Sequence, residues 1–351
     1  MSPAEEVWSE QDTSPQAIEE ALRRLLMERH AANHTLAPAR VLNLVVIVDS
    51  EGKEEIASRL QRVGRYHASR TVLCAVEEDR TTIDAHAVMA LDEPEAAGIG
   101  LMREEIEIDV GPEHLAHLET IVDPVIVTDL QTMVWSPNGH DEAVTALASL
   151  TDVLLYDSDD SSDTRDAFRR ARAPLPRTYV VDLAWLRTTP WRERLAASFD
   201  PRERRGSLDE ITCVAIRHRE GAAASALLLA GWLSSRLHWD SRSLSQSNGA
   251  TLEGEARADE RRVEIRIEPV EQDVPGLAGV TIECEEGFSL SLDRGPGGLR
   301  AHSRNEDGDE RRWRILGHSR GEAGILGEGV RQALLRDPTY APALEVAERL
   351  C

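Results

Sequence analysis

Lysine is almost missing from this chain. Lys53 is the single one, and all other basic side chains apart from histidine are arginines. Positive charge of any kind is in the minority, leaving a formal net charge of −23 at pH 7. So acidic a surface repels phosphate polymers, which argues against nucleic acid as a partner. Cysteines number four, at Cys74, Cys213, Cys284 and Cys351, and no two form a CxxC pair. This spacing excludes a zinc knuckle, a thioredoxin-like motif and a disulfide framework. The first residues, MSPAEEVWSEQD, lack a basic start and an apolar run, so no secretory signal is expected. The longest apolar run, Ala222 to Leu233, is too short to span a bilayer and is soon followed by Arg236. These absences point to a reduced, soluble, cytoplasmic protein with no membrane partner.

Motifs for chemistry are equally scarce. The turn Asp49-Ser50-Glu51-Gly52-Lys53 has neither the glycines of a phosphate loop nor a GxGxxG fingerprint. Gly317, Gly321, Gly324, Gly327 and Gly329 miss that spacing too. His30 with His34, and His114 with His117, could each touch one metal, but no HExxH glutamate and no third ligand accompany them. The acidic run Asp157 to Asp166 resembles a calcium loop only superficially. Ser162 stands where the sharp-turn glycine belongs and Phe168 where the bidentate glutamate belongs. It reads better as a loop entering a capped helix. No GxSxG elbow is present. No catalytic residue, cofactor or metal site is therefore assigned.

What is present is alternation. With 351 residues, 41% hydrophobic and 29% charged, the chain has room for two globular domains. A helix opens at Ser14-Pro15, with Ile18, Ala21, Leu22, Leu25 and Leu26 on one stripe. Ala39 to Asp49 (ARVLNLVVIVD) is a Val-rich run of the kind buried on both faces in parallel sheets. A helix over Glu54 to Val63 and a strand over Thr71 to Val76 complete a βαβ unit. Strands are expected at Thr82 to Met89 and Arg103 to Asp109, the latter half exposed near a sheet edge, and at Pro124 to Val127 and Thr132 to Trp135. A helix (His140 to Leu150), a strand (Val153 to Tyr156), a helix (Thr164 to Arg172) and a strand (Thr178 to Val181) continue the pattern. The expectation is a doubly wound, mostly parallel α/β domain over residues 1–200. A smaller α+β domain with an antiparallel sheet and helices is expected over residues 201–351.

The densest stretch is Asp182 to Asp200 (DLAWLRTTPWRERLAASFD), with two tryptophans in nineteen positions. Thr189 can cap a helix with Pro190 in its first position, placing Trp191, Leu195 and Phe199 on one face. That face either joins the domains or, with Arg192, forms an interface hot spot. His67 and Arg70, beside Ser69, could hold an anion or a partner's carboxylate, or could complement a helix C-terminus.

These segments resemble the glucose-6-phosphate dehydrogenase assembly protein family (OpcA). The resemblance rests on ARVLNLVVIVD, HASRTVLC, EEIEI, HLETIVDPVIVTDLQTMVW, DLAWLRTTPWRERLAASFD and ALLLAGWLSSRLHW, in that order, and extends to the tail from Gly329 to Leu344. Ser136, Ala68 and His238 depart from the family pattern. The resemblance implies a non-catalytic protein that binds glucose-6-phosphate dehydrogenase and promotes its active oligomer, within the oxidative pentose phosphate route. His67, Arg70, Trp135, Trp185, Trp191 and Arg192 are the candidate partner-binding residues. The alternative is a small-molecule sensor using the α/β domain as a nucleotide or sugar-phosphate site.

Overall fold

The structure, a computed structural model, describes residues 6–32, 40–64, 69–92, 101–247, 249–316, 321–332 and 335–351. His34, His67 and Gly317 lie outside the described residues. Two compact units interleave along the chain. The first comprises Met1–Tyr156, Thr178–Val181 and Leu326–Leu334, and the second Asp157–Arg177, Asp182–Ile325 and Leu335–Cys351. A single cut near residue 200 does not describe this division, because the chain returns to complete the first sheet after entering the second unit.

The first unit is built on β1 (Glu6–Glu10), α1 (Pro15–Ala32), β2 (Leu42–Asp49), α2 (Lys53–Gly64), β3 (Ser69–Val76), β4 (Asp84–Asp92) and β5 (Leu101–Val110). It continues through α3 (Leu118–Val122), β6 (Thr132–Trp135), α4 (Asp141–Ala146) and β7 (Val153–Tyr156), and its last strand is β8 (Tyr179–Asp182). The sheet order is β1-β4-β5-β3-β2-β6-β7-β8. Pairing is parallel from β5 through β7, while β4 is antiparallel to both β5 and β1. Every residue from Leu42 to Val48 is buried, as a strand covered on both faces requires. Val45 and Ile47 join Ile18, Leu22 and Leu25 of α1 in one core cluster, while α2 packs on β2 and β3 through buried Ile56 and Leu60. Two expectations are corrected. β5 is an interior strand rather than an edge; its Ile106 and Ile108 are buried while Glu105 and Glu107 are half-buried. Asp123–Val125 is a 3₁₀ turn, not a strand: Pro124 lacks the N–H a ladder needs, and the Asn43 side chain takes the Val127 N–H and carbonyl.

The second unit holds α5 (Thr164–Arg172), α6 (Leu183–Phe199), β9 (Ile211–Arg219), α7 (Ala223–Arg236), β10 (Asp240–Ser241), β11 (Ser245–Gln246) and β12 (Leu252–Ala258). Then follow β13 (Arg261–Val270), β14 (Leu277–Cys284), β15 (Ser289–Gly295), β16 (Gly298–Arg304) and β17 (Glu310–Leu316). α8 (Gly321–Gln332) straddles the division, its residues from Leu326 onward belonging to the first unit, and the closing helix of the second unit is α9 (Tyr340–Leu350). The sheet runs β10-β12-β13-β9-β14-β15-β16-β17, with β11 also on β12, and only β13–β9 is parallel. One face carries α6, α7 and α9, against the row Ile216, Val280, Leu292 and Ala301. α7 is apolar nearly all round and buried accordingly. Its end falls on His238, whose φ of 58° is the left-handed geometry in which a glycine is favoured. Among the described residues no helix is long and apolar enough to cross a membrane.

Candidate functional site

Polar side chains gather in two places. The first is the crevice at the C-terminal ends of the parallel strands, where the order β5-β3-β2-β6-β7-β8 reverses between β2 and β6. Ligands of doubly wound sheets bind at such a switch point. Here the protein's own groups occupy it. Asp49, ending β2, donates its N–H to Asn138 Oδ1 at 3.1 Å, and its Oδ1 lies 2.9 Å from His140 Nε2. Lys53 on the next helix is 2.7 Å from Asp109 and 3.0 Å from Glu107 of β5. Burial would lower the Lys53 pKa, but these two carboxylates outweigh it and raise the value. Cys74 of β3 is fully buried, and burial, then the Asp109 charge, pushes its thiol up to about 12. A thiol held protonated is no nucleophile. Acidic side chains also suit a phosphate poorly.

At the opposite, N-terminal ends of the same strands lies Arg70. Its side chain is buried, with Nε 2.9 Å from Glu104 Oε2 and Nη1 donating to the Val125 carbonyl at 2.9 Å. Arg40 makes a two-bond fork to the same carboxylate, with Nε at 2.8 Å from Oε2 and Nη2 in contact with Oε1. Glu104 is only 1% exposed. Nearby, Asn43 donates to the Val127 carbonyl at 3.0 Å and accepts the Val127 N–H at 2.9 Å. Trp135 is buried at the end of β6.

The second place is the start of α6. The expected cap at Thr189 is corrected: the helix begins at Leu183, so Pro190 lies in its interior. The cap is Asp182, whose carboxylate accepts the Ala184 N–H at 3.0 Å. It also accepts from Ser158 N (3.1 Å), Ser158 Oγ (2.6 Å) and the Tyr340 hydroxyl (3.0 Å). Beside it, Arg187 grips Asp157 in a fork of two 2.7 Å bonds. Asp159 accepts from Ser225 N at 3.0 Å and Ser225 Oγ at 2.5 Å, with Arg187 at 3.4 Å. Burial, then the Asp157 charge, lifts Asp159 to about 7 and Asp182 to about 6. The loop leading here enters α5 through the Asp163 cap, as the sequence predicts.

Around the next turn, the Arg192 guanidinium lies 3.5 Å from the Trp185 ring centroid. Trp185 Nε1 donates to Asp337 Oδ2 at 3.0 Å, and Arg192 Nη1 reaches the same oxygen at 3.3 Å. Arg192 also bonds Thr188 Oγ1 (2.9 Å) and Thr189 Oγ1 (3.0 Å). Burial lowers the Arg192 pKa, offset only in part by Asp337. Trp191 is fully buried, and its ring lies 5.8 Å from the Arg294 guanidinium. Phe199 packs edge-on against Phe288 at 5.7 Å. Of the candidate partner-binding residues, Trp185 and Arg192 thus pack together on Asp337 while Trp191 is buried beside Arg294, all in the second unit, and Arg70 and Trp135 lie inside the first. Asp157, Asp159, Asp182 and Ser225 were not singled out from sequence; only the acidic run and the strand-to-helix aspartate signalled them. The cluster brings Ser158 and Ser225 together with three carboxylates, and its hydrogen bonds tie the loop before α5 to the starts of α6 and α7. Among the described residues no group of three or more His, Cys, Asp or Glu side chains could hold a metal.

The raised carboxylates set a pH dependence. Between about pH 4 and pH 7 the folded chain holds protons that an unfolded aspartate has released, so stability falls as pH rises through that window. Thermal melts of the native chain and Asp159→Asn from about pH 7.5 to about pH 5.5 should show the midpoint rising on acidification, with a smaller rise in the variant. A difference of roughly 2 °C or more is expected. Equal slopes would mean that Asp159 is ionised throughout.

Comparison with known sequences agrees in both halves. Residues 60–173 match the family model described as the glucose-6-phosphate dehydrogenase subunit N-terminal domain, and residues 178–344 match the corresponding C-terminal domain. The chain belongs to the OpcA family. An OxPP cycle protein OpcA of Synechococcus elongatus is 32% identical over 167 residues, covering 46% of this chain and 36% of that protein. The Synechocystis OpcA is 31% identical over 139 residues, covering 38% and 29%. The matched stretch thus spans about a third of the length of these relatives. Among solved structures, the transcriptional regulator Gal80p of Kluyveromyces lactis aligns over 88% of this OpcA-family chain and 87% of its own. That alignment has 9% identity and a TM-score of 0.49.

Proposed function

We propose that this protein is a non-catalytic assembly factor of the oxidative pentose phosphate route. It binds glucose-6-phosphate dehydrogenase and biases it toward its active oligomer. The observation that carries this reading is the pair of family matches, which together span most of the chain and are both described as parts of a glucose-6-phosphate dehydrogenase subunit. The protein-filled switch-point crevice supports a role without chemistry of its own. To activate a partner, the chain must bind the active arrangement more tightly than the inactive one. A 5–150-fold effect requires about 1–3 kcal/mol of such preference.

Arg70, Trp135, Trp185, Trp191 and Arg192 serve this role from beneath, by fixing the elements that carry the contacting surface. The test is co-elution of the purified protein with the dehydrogenase, combined with an assay of NADPH formation. A complex and a faster or more oligomeric dehydrogenase are expected; neither complex nor rate change would overturn the proposal. Arg192→Ala should weaken the complex only as far as it lowers the melting temperature. Loss of the complex at unchanged melting temperature would instead put Arg192 in the interface.

A further inference from the structure

The second sheet has a face without helices, and its register gathers arginines there. Residues directly opposite in neighbouring strands share a face. Arg217 pairs with Gly279, Gly279 with Asp293, Asp293 with Arg300, and Arg300 with Arg314, which makes one row across β9, β14, β15, β16 and β17. Two residues along, Thr281, Ser291, His302 and Arg312 form the parallel row. From these rows Arg217, Asp293, Arg300, Arg314, His302 and Arg312 line an open concavity of ≈ 780 Å³. Between Arg217 and Asp293 sits Gly279, where an added Cβ would lie 2.6 Å from both Arg217 Nη2 and Asp293 Oδ1.

The charge balance of this concavity runs against that of the molecule. Arg217, Arg300, Arg312 and Arg314 of these rows line it, with Arg294 reaching it from the side of Trp191, against the two carboxylates Glu271 and Asp293, in a chain whose net charge is −23. Asp293 is committed to Arg217 at 2.8 Å, and Arg312 is paired with Glu310 at 2.9 Å. Arg300 and Arg314 are not neutralised in this way. The Arg300 side chain reaches only the Arg294 carbonyl, at 3.4 Å, and the exposed Arg314 side chain has no hydrogen-bond or ion-pair partner among the described residues. Like charges directly opposite across a ladder destabilise a sheet. Placing two arginine forks there is favourable once an anion lies between them, because a guanidinium matches phosphate geometry with two parallel N–H donors.

We propose that this concavity is a binding site for a small, multiply charged phosphate compound, held by Arg300 and Arg314 with Arg312 at its edge. The volume falls in the range of small-molecule sites. Size selection follows from charge. A compact anion feels the local arginines within a Debye length of about 8–10 Å, whereas an extended polyanion meets the acidic remainder of the surface. The site belongs to the second unit and is independent of the proposed partnership.

Isothermal titration and thermal melts of the full chain with inorganic pyrophosphate, at constant ionic strength set with chloride, test this. Pyrophosphate should bind and raise the melting temperature, and Arg300→Ala/Arg314→Ala should weaken binding at least about tenfold. Without pyrophosphate the double variant should melt no lower than the native chain, since a repulsive pair has been removed. If Arg300→Ala fails to fold because that side chain packs over Gly295, the exposed Arg314→Ala alone carries the test. Arg242→Ala, an exposed arginine at the far edge of the sheet, is the control and should bind normally. No effect of pyrophosphate beyond that of chloride, or equal binding by the Arg314→Ala variant, would overturn the site. Tighter binding of a single-stranded oligonucleotide than of pyrophosphate would overturn the choice of a small anion.

Discussion

Replacing Gly231 by alanine is expected to destabilise the second unit by about 3 kcal/mol or more. Gly231 lies in α7 where α9 crosses it. An added Cβ would stand 2.3 Å from the Ala343 carbonyl oxygen and 3.0 Å from the Ala347 nitrogen. Both obstacles are backbone, so no flexible side-chain end can give way. Relief requires α9 to move off α7, and α9 contributes fully buried Ala343, Leu344, Ala347 and Leu350. Overpacking ordinarily costs about 1–3 kcal/mol, and this site has no soft direction. Thermal melts should show a drop of roughly 6–12 °C for a unit of this size. A loss of only a degree or two would show that the helices part easily. The same contact explains why AGWLSSRL carries a glycine inside a helix, where it costs about 1 kcal/mol relative to alanine.

Glu104→Ala should be comparably severe, at about 3–5 kcal/mol, because it strands buried arginine charge. Glu104 is 1% exposed and takes a two-bond fork from Arg40 and a single bond from Arg70, whose side chains are 18% and 8% exposed. The cost lies in the orphaned guanidinium of Arg70, which keeps only the Val125 carbonyl. The discriminating variant removes the charges together. Arg70→Met/Glu104→Leu should recover much of the loss, since apolar replacement of a buried pair is often near neutral. If the double variant is worse than Glu104→Ala, the ion pair contributes net stability rather than only avoiding a penalty. Chemical denaturation separates the two outcomes.

Local patterns carried the reading a long way. Periodicity alone placed β2, α1, α5 and the apolar α7, because each depends on residues a few positions apart. Charge excluded classes of partner, and ordered motifs pointed to the family. Where local signals competed, the reading slipped. Thr189-Pro190 has the chemistry of a helix start, yet Asp182 at the end of β8 provides a better cap that Ser158 and Tyr340 then fill. Pro190 is tolerated inside α6 at the expense of one helical hydrogen bond. Pro124 to Val127 has strand composition, but no neighbouring strand is there to accept its ladder.

The sequence by itself determined the alternating α/β start, the acidic and arginine-based charge, the absence of recognisable catalytic motifs and the OpcA resemblance. Each of these resides in composition or in short spacings. Only the tertiary structure decided that Trp191 and Arg192 face inward, that Glu104 is an interior carboxylate, and that the chain returns to the first unit with β8. Strand register alone aligned Arg217, Arg300 and Arg314, which are up to 97 positions apart in sequence, into one row. The physical reason is the same in every case: burial and cross-strand pairing join residues distant along the chain, and no local pattern encodes which partners they will meet.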